Sequence, residues 1–222
     1  MTPGWFITGT DTGVGKTLVS SALLRSLAAQ YGQVVGMKPI AAGAEMVDGV
    51  MANDDVLALR AASTVVVSPR LDNPVLLPDP LSPHIAARRA GVVIDIDHIV
   101  ACYQGLASLA DAIVVEGAGG FHVPLSDDLT GADLAVALGL PVVLVVGLRL
   151  GCLNHALLSA DAIRARGLRL VGWVANRIDP SMLATQDNIT WLQHRLGVPM
   201  LADVPFQPAP GSHPFAMAIP SV

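Results

Sequence analysis

The sequence predicts an α/β fold of three layers, α/β/α, with a mostly parallel central sheet. Two observations carry this. Short apolar runs alternate along the chain with longer segments of helical period, the pattern of strands and crossover helices. Runs such as VVLVV at Val142–Val146 are apolar at every position, as strands buried on both faces are. A glycine-rich turn between the first strand and the first helix adds a third, and it is where the chemistry begins.

Taken in order, Trp5–Thr8 reads as the first strand, followed by the turn and a helix over Lys16–Gln30. Val34–Met37 is a second strand. Asp55–Ala62 is helical, and so is His84–Arg89 behind the Ser82-Pro83 start, since proline fits the first helical position. Asp95–Ala110 carries apolar residues at helical spacing. Ala112–Val115 is a strand that runs into the glycines of EGAGG. A helix over Thr130–Leu138, a strand over Val142–Val146, a helix over Asn154–Arg166 and a strand over Leu170–Ala175 follow. A helix over Gln186–Leu196 and a short strand over Met200–Ala202 complete the pattern. The proline-rich stretch Leu71–Pro83 and the tail from Pro205 onward read as irregular. No boundary interrupts the alternation, so residues 1–222 are expected to form a single domain.

Composition narrows the function. Hydrophobic residues make up 52% of the chain and charged ones 14%, with a net charge of −5. No Lys/Arg run is present, so the chain lacks the electrostatic footprint of a nucleic-acid binder. The six histidines are scattered without zinc-site spacing. Two cysteines, Cys102 and Cys152, are too few for a disulfide framework. The start, MTPGWFITGTDTG, lacks the basic and apolar regions of a signal peptide. Pro141–Leu148, the most apolar stretch, is far shorter than the ~20 residues of a membrane helix. A soluble, cytoplasmic protein without nucleic-acid or membrane partners is the expectation.

The turn Gly9–Thr17 reads GTDTGVGKT. The common phosphate-loop pattern is GxxxxGK(S/T), and here five residues separate Gly9 from Gly15 instead of four. Gly13 and Gly15 let the backbone curl with its N–H groups inward, and the next helix presents its N-terminus to an anion. Lys16 can reach the β- and γ-phosphates, and Thr17 can place its hydroxyl on Mg²⁺. The loop therefore predicts a nucleoside triphosphate ligand and a P-loop NTPase version of the fold. Glu116, at the end of AIVV, offers the carboxylate that a metal-bound triphosphate needs, and Gly117 and Gly119 let backbone approach. Asp54-Asp55 follows Asn53 at a helix start, where an acid also serves simply to stabilise the N-terminus. Candidate residues in Gly9–Thr17, Lys38, Glu116 and Asn176 all fall at carboxyl ends of strands, where ligands bind in such sheets.

Several segments together resemble the dethiobiotin synthetase family. They are TGTDTGVGKT at Thr8–Thr17, GMKPIAAG at Gly36–Gly43, NDD at Asn53–Asp55, SPH at Ser82–His84, VEGAGG at Val115–Gly120, VVGLRLGCLNHALL at Val145–Leu158 and GWVANRID at Gly172–Asp179. They span about 170 of the 222 residues in order. That family has a phosphate loop one residue longer than usual. The resemblance implies an ATP- and Mg²⁺-dependent ligase that builds the ureido ring of dethiobiotin from 7,8-diaminononanoate and CO₂. It proceeds through a carbamate and a carbamic-phosphoric anhydride.

The same resemblance implies roles for particular residues. Lys38, Lys16 and Thr12 are the catalytic set, with Lys38 and Thr12 beside the diamine and carbamate. Alone, Lys38 reads as a surface lysine ending a strand. Thr17, Asp55 and Glu116 bind Mg²⁺. Gly13, Val14, Gly15, Lys16, Thr17 and Leu18 hold the nucleotide together with Asp55, Glu116, Gly117, Ala118 and Gly119. Asn176 and Arg177 meet the base, and Pro205, Phe206 and Gln207 cover it. Gly151, Cys152, Leu153 and Asn154 hold the tail carboxylate of substrate bound in the neighbouring subunit, so a homodimer is implied; without the resemblance Cys152 reads as a packing residue.

Asn176-Arg177-Ile178-Asp179 also resembles the N-K-x-D signature of guanine-binding proteins, which leaves GTP open beside ATP. Two departures stand out: Ala42 where many members carry a small hydroxyl residue, and Gly13 where some carry an acid. Losing one hydrogen bond at Ala42 costs about 1 kcal/mol. Two other readings share the loop. One is a cobyrinate-type amidoligase, which usually carries an added glutamine-hydrolysing domain. The other is an ATPase switch that partitions DNA or positions proteins, whose loop often has a lysine where this chain has Asp11.

Overall fold

The computed structural model describes residues 2–47, 49–209 and 215–221. Ten strands and eight helices follow one another along these residues. Six strands form the central sheet: β1 (Gly4–Gly9), β2 (Val34–Met37), β7 (Ala112–Gly120), β8 (Val142–Gly147), β9 (Leu170–Asn176) and β10 (Met200–Val204). Their order is β10-β9-β8-β1-β7-β2, and every pairing is parallel.

Strand periodicity explains the two outer layers. Successive side chains of a strand face opposite sides, and β8 shows it directly. Val142, Leu144 and Val146 pack into one core cluster, while Val143 and Val145 join the other. The first cluster takes the inner faces of α4 (Pro83–Ala90), α5 (Ile96–Ala107), α6 (Gly131–Leu138), α7 (Cys152–Ala165) and α8 (Thr185–Leu196). The second takes α1 (Lys16–Ala28) and α2 (Asp54–Ala62). All-apolar strands are what this double coverage demands, and the expected three-layer fold is what forms.

Sheet order also places the site. From β1 the chain runs outward to β2, returns to β7 beside β1, then crosses to β8 on the other side of β1. The reversal opens a crevice at the carboxyl ends of β1 and its neighbours. The phosphate loop leaves β1 there, and Glu116 lies opposite Ile7 in the β1–β7 ladder.

One part of the sequence reading needs correction. Leu71–Pro83 is not wholly irregular. The one-turn helix α3 (Pro69–Asp72) ends inside it, and β6 (Val75–Leu77) pairs in parallel with β3 (Ile40–Ala42). A hairpin of β4 (Glu45–Val47) and β5 (Val50–Ala52) also stands just before α2. Of the tail, residues 210–214 and 222 lie outside the described residues. The rest is without helix or strand as expected, yet it is anchored: Met217 is buried beside α1, and Ala218 N–H donates to the Leu201 carbonyl at 2.9 Å.

Candidate active site

The phosphate loop takes its shape from two glycines with positive φ, Gly13 at +72° and Gly15 at +92°. A side chain at Gly15 would be strained by that φ, and its Cβ would lie 2.1 Å from the Asn176 amide nitrogen. That amide donates to the Val14 carbonyl at 2.8 Å. Asn176 ends β9, so the loop is clamped to the sheet two strands away from its own. The Asp11 carboxylate accepts from Thr12 N–H at 2.8 Å and from the Arg149 guanidinium at 2.5 Å. The Asp11 carbonyl accepts from Lys16 Nζ at 3.0 Å.

Four side chains from four elements meet behind the loop. Thr17 comes from the first turn of α1, Lys38 from the end of β2, Asp55 from the first turn of α2 and Glu116 from within β7. The Thr17 hydroxyl lies 2.6 Å from Asp55 Oδ1 and 2.9 Å from Glu116 Oε1; its one proton serves either carboxylate. Lys38 Nζ donates to Asp55 Oδ2 at 2.9 Å and to Glu116 Oε1 at 2.5 Å. Lys38 and Glu116 side chains are 5% and 0% exposed, whereas Asp55 is 43% exposed. Lys38 is thus no surface lysine. Asp55 does double duty, because Asn53 caps α2 by accepting from Asp55 N–H at 3.1 Å.

The charges answer one another. Burial pulls the Lys38 pKa down, but the fields of Glu116 and Asp55 outweigh it and leave it raised. For Asp55, burial pushes upward and the Lys38 ammonium outweighs it, leaving the carboxyl lowered. Lys16 differs. Burial, then the like charge of Lys38, lowers it to about 8. The carboxylates of Glu116, Asp55 and Asp11 act in the opposite direction and only partly offset this.

These donors suit Mg²⁺. Glu116 Oε2 is buried and finds no hydrogen-bond partner among the described residues, so one carboxylate oxygen is left for a cation. Among the described residues no group of three or more His, Cys, Asp or Glu gathers to hold a metal. Two carboxylates and a hydroxyl match a hard ion that keeps waters and takes phosphate oxygens for its remaining ligands.

Two clefts flank the cluster. One, of about 520 Å³, is lined by Thr12, Lys38 and Asp55 at its polar end. Ile40, Ala42, Pro80, Leu81, Ser82, Pro83, Ala118, Gly119 and Val123 complete its wall. The other, of about 240 Å³, is lined by Gly13, Gly15, Leu18, Asn176, Arg177, Ile178, Phe206 and Gln207. Val14 is buried beneath the loop, and Gly117 packs within 3 Å of Phe6 for any added Cβ. Pro205 borders the second cleft only through its neighbour Phe206 in the chain. Gly151, Cys152, Leu153 and Asn154 line neither cleft. Gly151 caps α7 and the other three form its first turn, two residues earlier than the sequence suggested. Cys152 is 2% exposed and packs in the core.

Three groups at the site escaped the sequence reading. Asp11 and Arg149 brace the phosphate loop, and Asn73 holds the Lys38 carbonyl at 2.7 Å. The walls Pro80–Pro83 overlap the SPH segment, which was a usable signal. In the second cleft, Arg177 is committed to Asp203 at 2.7 and 2.8 Å. Asp179 accepts from Ser181 N–H and Oγ at 2.9 and 2.7 Å and does not line the cleft.

A strand, an anion-binding loop and a helix, with a buried lysine and a Thr–carboxylate cluster at the sheet's switch point, define a P-loop nucleoside triphosphatase fold. Solved structures agree on that fold. A ParA family ATPase from Chlorobium tepidum is similar with a TM-score of 0.58 at 16% identity, covering 94% of this chain and 86% of that one. The septum site-determining protein MinD from Pyrococcus horikoshii, complexed with Mg-ADP, gives 0.57 at 20% identity, covering 94% and 83%. A family model described as an AAA domain matches residues 4–212.

Sequence relatives are more specific. This chain is 52% identical over 203 residues to the ATP-dependent dethiobiotin synthetase BioD of Aromatoleum aromaticum, covering 90% of this chain and 89% of that protein. It is 52% identical over 209 residues to the protein of the same name from a Janthinobacterium species, covering 92% and 89%. The chain belongs to the ATP-dependent dethiobiotin synthetase family. No helix among the described residues is long and apolar enough to cross a membrane.

Proposed function

We propose that this protein closes the ureido ring of dethiobiotin from 7,8-diaminononanoate, CO₂ and ATP, working as one domain and as a cytoplasmic homodimer. The observation that carries the reading is the cluster of Thr17, Lys38, Asp55 and Glu116 set between the phosphate loop and the 520 Å³ cleft. A triphosphate on the loop and an anion in the cleft would meet there.

One amine of the substrate attacks CO₂, forms an N–C bond and loses a proton, giving a carbamate. A carbamate oxygen attacks the γ-phosphorus, the bond to the β-phosphate oxygen breaks, and ADP leaves. The second amine then attacks the carbamoyl carbon and loses a proton, the C–O bond to phosphate breaks, and the ring closes. Two anions must approach in the middle step, so the protein's task is to supply fixed positive charge and a line of attack. Lys16 holds the transferring phosphate from the loop side. Lys38 faces the carbamate from the cleft, and Thr12 borders both. Mg²⁺ held by Thr17, Asp55 and Glu116 would neutralise charge on the phosphates. The apolar wall of Ile40, Leu81, Pro83 and Val123 suits the aliphatic chain of the diamine.

Adenine is the base that the second cleft favours. The Asn176 amide keeps one N–H and its carbonyl for a purine edge after meeting Val14. Asp179, the residue that would read guanine, is absent from the lining of that cleft. The first turn of α7 at Gly151–Asn154 stands outside both clefts, and on this reading it takes the substrate carboxylate of the partner subunit through backbone N–H groups.

The test is direct. Purified protein with ATP, Mg²⁺, bicarbonate and 7,8-diaminononanoate is expected to yield dethiobiotin by mass. Phosphate release that is indifferent to the diamine, with no ring product, would refute the reading.

A further inference from the structure

Lys38 carries its ammonium at the end of a flexible four-carbon stem, so its accuracy depends on the backbone beneath it. That backbone has no sheet to hold it. β2 stops at Met37, β3 starts at Ile40, and the residue between Lys38 and β3 is Pro39, which has no N–H to give. A buried carbonyl in such a break needs a donor from elsewhere.

The segment Asp72–Val75 supplies the missing bonds. Lys38 N–H donates to the Asp72 carbonyl at 2.8 Å. The Asn73 carboxamide, 8% exposed, donates to the Lys38 carbonyl at 2.7 Å and to the Val75 carbonyl at 3.2 Å. Val75 N–H donates to the Pro39 carbonyl at 3.1 Å. Asp72, 2% exposed, is itself gripped by Arg60 through two bonds of 2.6 and 2.7 Å. Arg60 lies on α2, the helix whose first turn bears Asp55. The links therefore close a ring: Asp55 to α2, Arg60 to Asp72, Asn73 to Lys38, and Lys38 Nζ back to Asp55 at 2.9 Å.

We propose that Asn73 is a positioning residue for the reaction, acting through Lys38 and touching no reactant itself. Its amide fixes the peptide that aims the Lys38 stem, and the Arg60–Asp72 pair ties that peptide to the element carrying Asp55. The inference rests on the reading that Lys38 touches diamine and carbamate.

The experiment measures ring formation for Asn73→Ala and Asn73→Ser, with kcat expressed per nucleotide-binding site counted by calorimetry. That count removes any fraction that fails to fold. Asn73→Ala is expected to lower kcat per site about ten- to a hundredfold, as loss of an orienting partner does, with nucleotide Kd unchanged within twofold. Asn73→Ser, whose shorter hydroxyl does not span both carbonyls, is the milder variant and is expected to lose at least fivefold. A purely structural role would lower the number of binding sites and leave kcat per site intact. Lys38→Ala is the reference. If it makes dethiobiotin at the wild-type rate, the reading of Lys38 fails and the inference with it. If Lys38→Ala is inactive while either Asn73 variant keeps wild-type kcat per site, the inference alone is overturned.

Discussion

Replacing Lys38 by Met strands a charge, and the structure says which one. Met keeps the length and most of the apolar volume of the lysine stem, so packing is little disturbed and the ammonium is the principal loss. Asp55 is 43% exposed and turns to water. Glu116 is 0% exposed, with Oε2 already without a hydrogen-bond partner among the described residues, so it has no such recourse. Breaking a buried ion pair from one side costs about 3–5 kcal/mol. The Thr17 hydroxyl still reaches Glu116 at 2.9 Å, and the Lys16 ammonium remains close by, so the lower end, about 3 kcal/mol, applies. For a chain of this size that is a fall in melting temperature of about 6–12 °C. The assay is urea and thermal unfolding at neutral pH of four proteins: wild type, Lys38→Met, Glu116→Gln and the double variant. Glu116→Gln in the Lys38→Met background is expected to recover at least half of the loss, because no charge is then stranded. A Lys38→Met protein that melts within 2 °C of wild type at the resolution of such scans, or a double variant no more stable than Lys38→Met, would show that the pair is not the electrostatic unit described.

The other predictions concern the loop, the base and the acid limit. Gly15→Ala is expected to abolish nucleotide binding, since the new Cβ would lie 2.1 Å from the Asn176 amide at a φ of +92°; tight binding of a fluorescent ATP analogue by that variant would contradict the clamp. Asp179→Ala is expected to leave the ATP-to-GTP preference unchanged, measured as the ratio of kcat/KM values, and a tenfold change would return Asp179 to the base site. Lys16, lowered to about 8, loses its charge as pH rises through that value, so nucleotide binding near pH 8.5 is expected to take up protons, as seen by calorimetry in buffers of different ionisation heat. A binding event without proton uptake there would refute a Lys16 that is partly neutral in the free protein and recharged by the phosphates. The Asp133 carboxyl is held down at about 2, first by the Thr130 hydroxyl, then by Thr130 N–H and Arg166. Its folded pKa lies below the unfolded one, so its contribution is fully present above about 4 and fades as pH falls toward 2. Asp133 is 27% exposed, and screening keeps that contribution to about 1 kcal/mol. Asp133→Asn should melt lower at pH 7 and converge with wild type near pH 2.

The layered fold was legible because its signal is local. Strands covered on both faces must be apolar at every position, and β8 announces itself as VVLVV. The small additions were not, for different reasons. β3 and β6 are three residues each and pair across a gap of more than thirty residues, so neither has a period of its own to read. The β4–β5 hairpin does leave a mark in the sequence, since Asp48-Gly49 between two short apolar runs is a hairpin dipeptide. The tail shows no helix or strand period, and its anchor on Leu201 depends on a surface made by distant strands.

The site divides along the same line. Lys16 and Thr17 lie in a contiguous motif, and the strand–loop–helix context around them is legible from the sequence alone. Lys38 has no such context. Its neighbours Met37 and Pro39 say only that a strand has ended, and a lysine at a strand end is ordinarily on the surface. What makes it buried is the meeting of Glu116, 78 residues away in sequence, Asp55, and a clasp from Asp72 and Asn73. Coulomb attraction and desolvation are decided by distances of 2.5–2.9 Å, and no window along the chain contains them. The resemblance to a family could mark the position of Lys38, but the reason for that position is a property of the assembled crevice. Asn73 follows from this. A residue that acts by satisfying another residue's backbone carries no chemical signature, and it becomes visible only when each buried carbonyl beside a reactive side chain is asked where its donor comes from.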